Sequence, residues 1–209
     1  MRPARLSKRW GLITVPNALT LLRLACIPAF VALLAERHAA GRLAASCLLG
    51  GLGATDALDG YIARHFNQVS LAGKIADPIV DRLLVLSASI GVIAIAAAPA
   101  WLVVVILSRE MLVLGAGGML ALAGAARIDV SWAGKAGSAG MMAALPLFIM
   151  GHAPFRLHHA AEALAWVTAA WGLALGWFAV LTYVPAARAA LRRGRASRAG
   201  QATPQTRGR

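Results

Sequence analysis

Apolar stretches of about 20 residues recur six times along this 209-residue chain, and they restrict its fold more than any other feature. They cover residues 18–36, 43–63, 77–97, 101–124, 136–152 and 164–185. As α-helices, they are long enough to cross about 30 Å of hydrocarbon. Hydrophobic residues make up 59% of the chain, which exceeds the usual share in soluble domains. We therefore predict an all-α, polytopic integral membrane protein with six transmembrane helices.

The Lys and Arg residues are unevenly divided between the two predicted membrane faces. One face receives fifteen of them, including those in both terminal segments, whereas the other receives only Arg37, Arg42 and Arg156. Because Lys and Arg accumulate on the cytoplasmic side, we expect both termini in the cytoplasm. The net charge of +13 then suits anionic membrane lipids, and we expect no nucleic-acid partner.

Three segments are expected from composition. Residues 1–15 are basic and contain Trp10, which predicts an N-terminal interfacial helix. Residues 16–187 would form one membrane domain. Residues 188–209 are basic and poor in large apolar groups, so a disordered tail is expected there.

Half of the eight acidic residues lie within residues 56–81. They are Asp56, Asp59, Asp77 and Asp81. The first two share one helix face and the last two share another, with a predicted loop at 65–73 between them. An ionised carboxylate in a membrane costs about 2.5–3.5 kcal/mol on insertion scales, so a bound cation would offset an otherwise unfavourable cluster. Four carboxylates without thiols favour Mg²⁺, Mn²⁺ or Ca²⁺.

Small and basic residues flank these acids. Gly60, Ala63 and Gly73 would permit close approach of a ligand, and Arg64 and Lys74 would attract phosphate. Together with metal ions, this composition indicates phosphoryl-type chemistry on a diphosphate. A structural polar cluster and an ion path through a divalent-cation transporter are the alternatives, although the acids occupy only one predicted membrane face.

The spacing of this segment resembles the signature of the CDP-alcohol phosphatidyltransferase family. All eight fixed positions match, in the order Asp56-x2-Asp59-Gly60-x2-Ala63-Arg64-x8-Gly73-x3-Asp77-x3-Asp81. The stretch Pro16–Arg23 resembles the family's entry to its first span, and Ser108–Glu110 and Gly134–Lys135 resemble the bacterial glycerophospholipid members. Residues 66–70 and the Arg109–Glu110 pair resemble the branch that makes phosphatidylglycerol phosphate or cardiolipin.

The resemblance implies roles for these residues. Asp56, Asp59 and Asp77 would hold two Mg²⁺ or Mn²⁺ ions, and Asp81 would complete the site and act as general base. The CDP-lipid site would be lined by Gly60, Ala63, Arg64 and Gly73. An acceptor hydroxyl would attack the β-phosphorus of CDP-diacylglycerol and release CMP. Members of the family often form dimers, so a homodimer is among the expected assemblies.

The acceptor is expected to be a glycerol-type alcohol, with Arg109, Lys135 and Arg23 as candidate ligands. The branch that uses glycerol 3-phosphate tends to have further basic residues where this chain has Gly117 and Gly137. This difference narrowly favours phosphatidylglycerol, giving cardiolipin, over glycerol 3-phosphate. Alternative interpretations are an Arg109–Glu110 ion pair and an interfacial Lys135. Arg23 lies within an apolar span, so we expect it to pair with an acid near the site.

Overall fold

A computed structural model describes the backbone of residues 15–36, 38–66, 71–122 and 131–202, and side chains in 20–36, 38–55, 79–116 and 131–182. Within these ranges the chain forms six α-helices and no strand. They are α1 (Val15–Ala35), α2 (Ala39–Phe66), α3 (Leu71–Ala94), α4 (Ala100–Leu122), α5 (Trp132–Gly151) and α6 (His158–Ala202). The all-α class and the order of helices are thus confirmed for the described part. The predicted N-terminal interfacial helix lies outside it, apart from Val15.

Two helical segments of the described part are long and apolar enough to cross a membrane. They are Trp132–Gly151 and His158–Thr182, judged by length and composition. A shorter apolar stretch covers Thr20–Ala35. The count of six transmembrane spans therefore stays a prediction.

The helices extend further than composition predicted at two places. α2 and α3 include residues 65–66 and 71–73 of the predicted 65–73 loop, and α6 continues to Ala202 through most of the expected disordered tail. Ala and Arg favour the helical state, and a helix that already exists can elongate without a new nucleation step. Low apolar content therefore does not prevent helix formation in residues 188–202.

The described chain divides into two compact units. Unit 1 contains α1, α2 and α3 together with residues 145–162, and unit 2 contains residues 98–144 and the remainder of α6. Each unit draws on segments that are distant in sequence.

In unit 1, α1 and α3 run parallel and pack closely. Phe30 and Leu34 of α1 lie against Gly91 of α3, where an added Cβ would be 2.4 Å from Leu34 Cδ2. Phe30 is fully buried. α2 runs in the opposite direction, and its Ser46 hydroxyl donates a hydrogen bond to the Pro146 carbonyl at 2.8 Å.

The carboxyl end of α3 closes in a Schellman motif. The Ala96 amide donates to the Ile93 carbonyl and the Ala97 amide donates to the Val92 carbonyl, both at 2.9 Å. Ala96 has φ 54°, the left-handed conformation that this motif requires. The hydrogen bonds satisfy two helix-end carbonyls that would otherwise lack donors.

In unit 2, glycines allow α5 and α6 to approach at backbone contact. A Cβ on Gly137 of α5 would lie 2.6 Å from the Gly176 nitrogen, and one on Gly140 would lie 2.9 Å from the Gly172 Cα. Gly172 and Gly176 form the G-x-x-x-G spacing that is common at closely packed helices in membranes. No side chain fits between the two backbones here.

We predict that Gly137→Ala lowers the melting temperature of the purified protein by several degrees. The added methyl group would meet backbone atoms of α6, and overpacking of this kind typically costs about 1–3 kcal/mol. Thermal unfolding in detergent measures the effect. The matched control is Gly115→Ala on α4, where an added Cβ has no neighbour within 4 Å. Equal melting temperatures for the two variants would contradict close α5–α6 packing.

Candidate active site

The acidic segment is divided between two successive helices. Asp56 and Asp59 lie in α2, whereas Asp77 and Asp81 lie in α3. At 1.5 Å of rise per residue, Asp59 is about 10 Å from the end of α2 and Asp77 about 9 Å from the start of α3. Asp56 and Asp81 are each about 15 Å from those same helix ends. In the antiparallel hairpin that the sequence predicts, the acids would lie at two levels, each with one Asp from either helix.

Asp81 is held by an arginine of α1. Arg23 Nη1 donates a hydrogen bond to Asp81 Oδ1 at 2.7 Å, and the two side chains are 5% and 33% exposed. A hydrogen bond between two charged groups is stronger than a neutral one, and the burial of Arg23 excludes competing water. The expectation that Arg23 pairs with an acid is confirmed. Its assignment to the acceptor site stays a prediction.

The other residues of the family motif lie on the same two helices. Asp56, Asp59, Gly60, Ala63 and Arg64 belong to α2, while Gly73 and Asp77 belong to α3. Their side chains lie outside the described residues. The geometry of the metal ligands and of the CDP-lipid contacts is therefore a prediction, apart from the position of Asp81.

Arg109 is buried within unit 2. Its Nη1 donates to Glu110 and to Ser138 Oγ, the latter at 2.7 Å, and its Nη2 donates to the Gly134 carbonyl at 3.3 Å. Arg109 and Glu110 are only 2% and 5% exposed. The ion pair with Glu110, which was the alternative interpretation of Arg109, is present. The same guanidinium also joins α4 to α5.

Lys135 follows the start of α5, and its side chain is exposed. Ser131 caps this helix, because its hydroxyl accepts a hydrogen bond from the Gly134 amide at 3.1 Å. The Gly134–Lys135 stretch is thus the first turn of a capped helix. Lys135 is accessible to a ligand, and both interpretations of this residue remain open.

Ser138 is the polar contact that sequence reasoning did not identify. It lies four residues after Gly134, so both face Arg109 from one side of α5. The four-residue spacing of Gly134 and Ser138 is visible in the sequence and predicts a shared helix face. It does not identify Arg109 as the partner, because the contact joins two different helices.

Comparison with known proteins agrees with the motif. The family profile described as CDP-alcohol phosphatidyltransferase matches residues 13–184. The cardiolipin synthase (CMP-forming) of Streptomyces coelicolor is 34% identical over 183 residues, which cover 86% of this chain and 85% of that protein. A putative cardiolipin synthase of Mycobacterium bovis is 34% identical over 171 residues, covering 82% of this chain and 81% of that protein.

A relative whose name includes glycerol 3-phosphate is similar to nearly the same degree. The CDP-diacylglycerol–glycerol-3-phosphate 3-phosphatidyltransferase of Bacillus subtilis is 33% identical over 181 residues, covering 79% of this chain and 93% of that protein. Both kinds of relative share one reaction class, the transfer of a phosphatidyl group. This chain, matched by the family profile over most of its length, belongs to the CDP-alcohol phosphatidyltransferase family of enzymes.

Proposed function

We propose that this enzyme transfers the phosphatidyl group of CDP-diacylglycerol to phosphatidylglycerol, which forms cardiolipin and releases CMP. The main support for the catalytic part of this proposal is the ion pair between Arg23 and Asp81, the last residue of the acidic motif. It provides a positioned carboxylate on a helix that also carries Asp77. The choice of phosphatidylglycerol as the acceptor rests on contacts within unit 2.

Asp81 is the proposed general base. Its carboxylate removes the proton from the acceptor hydroxyl as that oxygen attacks the β-phosphorus of CDP-diacylglycerol, and the bond to CMP breaks. Arg23 positions this carboxylate through Oδ1. A base must lie within hydrogen-bond reach of its proton, so fixing its orientation favours the reactive geometry.

The donor set fits divalent cations, which enzymes of this family generally use. Asp81 offers carboxylate oxygens at the protein surface and is 33% exposed, so that an ion can reach it. Asp56, Asp59 and Asp77, with Asp81, would hold two ions, and oxygen donors alone suit Mg²⁺ or Mn²⁺. Bound there, the ions supply positive charge that neutralises the diphosphate and stabilises the leaving oxygen. Gly60, Ala63, Arg64 and Gly73 would line the cytidine diphosphate site.

Two features of unit 2 support an acceptor without its own phosphate monoester. Arg109 already donates hydrogen bonds to Glu110, to Ser138 and to the Gly134 carbonyl, so a phosphate ligand would have to displace these buried contacts. The branch that uses glycerol 3-phosphate tends to have a basic residue at the position of Gly137. In this chain the α6 backbone leaves no space there for a lysine side chain. Both features favour phosphatidylglycerol over glycerol 3-phosphate, the alternative acceptor.

For the membrane arrangement, we propose six spans preceded by an interfacial segment at residues 1–15. The membrane domain would cover 16–187, with both termini and the acidic site facing the cytoplasm of a bacterial cell. The uneven distribution of Lys and Arg supports this orientation. Anionic lipids and a second copy of the chain are the proposed membrane partners.

The acceptor is tested by product analysis. Purified enzyme receives labelled CDP-diacylglycerol with either phosphatidylglycerol or glycerol 3-phosphate, and chromatography identifies the lipid formed. We expect labelled cardiolipin in the first reaction and little conversion in the second. Phosphatidylglycerol phosphate as the dominant product would reverse the choice of acceptor without affecting the assignment to phosphatidyl transfer.

We predict that Asp81→Asn lowers CMP release by about 10²–10⁴-fold, the usual contribution of general acid–base catalysis. Chelation of divalent ions should also abolish release, and added Mg²⁺ or Mn²⁺ should restore it. The matched control is Glu162→Gln, which changes an exposed acid on α6. If Asp81→Asn retains full activity, Asp81 is not the base.

Arg23→Gln should lower kcat by roughly 10- to 100-fold with a smaller change in KM, because a charge-assisted hydrogen bond contributes about 1.5–3 kcal/mol. Arg23→Lys should recover part of the loss. Arg156→Gln, at an exposed arginine of unit 1, is the control. A change in KM alone would instead place Arg23 in substrate binding, and unchanged kinetics would exclude both roles.

A further inference from the structure

A cavity of about 650 Å³ lies in unit 1, far from the acidic segment. It is enclosed by the carboxyl ends of α1 and α3 and by the start of α2, where Arg42 contributes the guanidinium. We propose that this cavity binds one anionic phospholipid, with an acyl chain in the cavity and the phosphate at Arg42.

The cavity is separate from the candidate active site. Along α1, Arg23 precedes Leu34 by about 16 Å, and along α3, Asp81 precedes Ala94 by about 20 Å, at 1.5 Å of rise per residue. Leu34 and Ala94 both line the cavity. A lipid bound here is therefore distinct from the lipid that reacts near Asp81.

The walls of the cavity suit a hydrocarbon chain. They are formed mainly by apolar side chains: Phe30, Val31, Leu34, Ile90 and Ile95. Val31 and Ile90 are 51% and 59% exposed, so the cavity opens onto an apolar surface. Its volume falls within the range of pockets that bind small organic ligands. An acyl chain can thus enter from the hydrocarbon layer without crossing a polar rim.

Arg42 is the charged side chain of the lining, and its hydrogen bonding is incomplete. Nη1 donates to the His152 carbonyl at 3.0 Å, whereas Nε is buried and has no hydrogen-bond partner. Within the described residues, Arg42 forms no ion pair with an acid, and the exposed Glu36 is also unpaired. A partly desolvated guanidinium without an anion is unfavourable, and phosphate oxygens match its planar donors.

Arg42 is the cation on which the charge selectivity of the site depends. α2 begins at Ala39 and has no acidic residue in its first turn, but the Glu36 carboxylate lies beside Gly41 and offsets the positive end of the helix dipole. A zwitterionic lipid carries a compensating cation beside its phosphate. The charge of the site therefore favours an anionic headgroup such as phosphatidylglycerol.

Photo-cross-linking of the full chain tests this proposal. The protein is reconstituted in phosphatidylcholine nanodiscs with a small fraction of phosphatidylglycerol or phosphatidylcholine that carries a diazirine in its acyl chain. After irradiation, mass spectrometry maps the adducts. We expect phosphatidylglycerol adducts to concentrate in residues 30–35 and 87–96. Unlabelled phosphatidylglycerol should compete for this labelling, and unlabelled phosphatidylcholine should not.

Matched variants test the headgroup contact and the acyl-chain contact separately. Arg42→Gln should lower phosphatidylglycerol labelling about fivefold, the effect of one cation near an anionic headgroup. Arg156→Gln, an exposed arginine outside the lining, should leave it unchanged. Ile90→Trp should obstruct the cavity and lower labelling by both lipids, whereas Ile93→Trp changes an exposed residue of α3 that does not line it.

Three results would overturn the proposal. They are adducts spread evenly over exposed apolar faces, equal labelling of these two segments by both lipids, and labelling unaffected by Arg42→Gln in folded protein. If Arg42→Gln does not fold, the competition experiment on the unaltered chain decides. Selective competition by phosphatidylglycerol supports the site, and equal competition by both lipids refutes it.

Discussion

The ion pair between Arg23 and Asp81 is the constraint on which the candidate active site depends. Arg23 is almost completely buried, and a guanidinium in that position requires an anion. The pair fixes one register between α1 and α3. Packing of Leu34 against Gly91 maintains nearly the same register, because the two contacts are eleven residues apart on α1 and ten on α3. Polar and apolar contacts thus enforce one alignment, which sets the position of Asp81 along α1.

A second buried arginine organises unit 2 in a different way. Arg109 donates hydrogen bonds to a neighbouring carboxylate and to the Ser138 hydroxyl and Gly134 carbonyl of α5, while its buried Nε has no hydrogen-bond partner within the described residues. Glycines of the same helix, Gly137 and Gly140, meet the backbone of α6. α5 is therefore fixed by hydrogen bonds from α4 and by backbone contact with α6. Lys135, one of the candidate acceptor ligands, therefore lies on a helix with little freedom to move, and the space at Gly137 is set by packing rather than by charge.

Much of this arrangement follows from the sequence, and the exceptions have physical causes. Apolar runs predicted the helices, and the isolation of Arg23 in such a run predicted an acidic partner. The identity of that partner depends on the register between α1 and α3, which local patterns do not specify. The Arg109–Ser138 contact was not predictable for the same reason, because it depends on the register between α4 and α5. α6 extends beyond its predicted apolar span to Ala202, because the helix propensity of Ala and Arg, and not apolar content, decides its length. The cavity beside Arg42 was not predictable, since it forms where the end of α3 packs against the turn between α1 and α2, which is distant from it in sequence.

The two ends of unit 1 present arginines in opposite electrostatic states. Arg23 lies beside a carboxylate, so its charge is compensated within the protein. Arg42 has one carbonyl acceptor, an unsatisfied buried Nε and an apolar wall. An anion that approaches Arg23 must compete with Asp81, whereas one that approaches Arg42 displaces no charged partner. The same three helices can therefore keep a carboxylate oriented for chemistry at one end and retain an anionic lipid at the other, without the two functions competing for one cation.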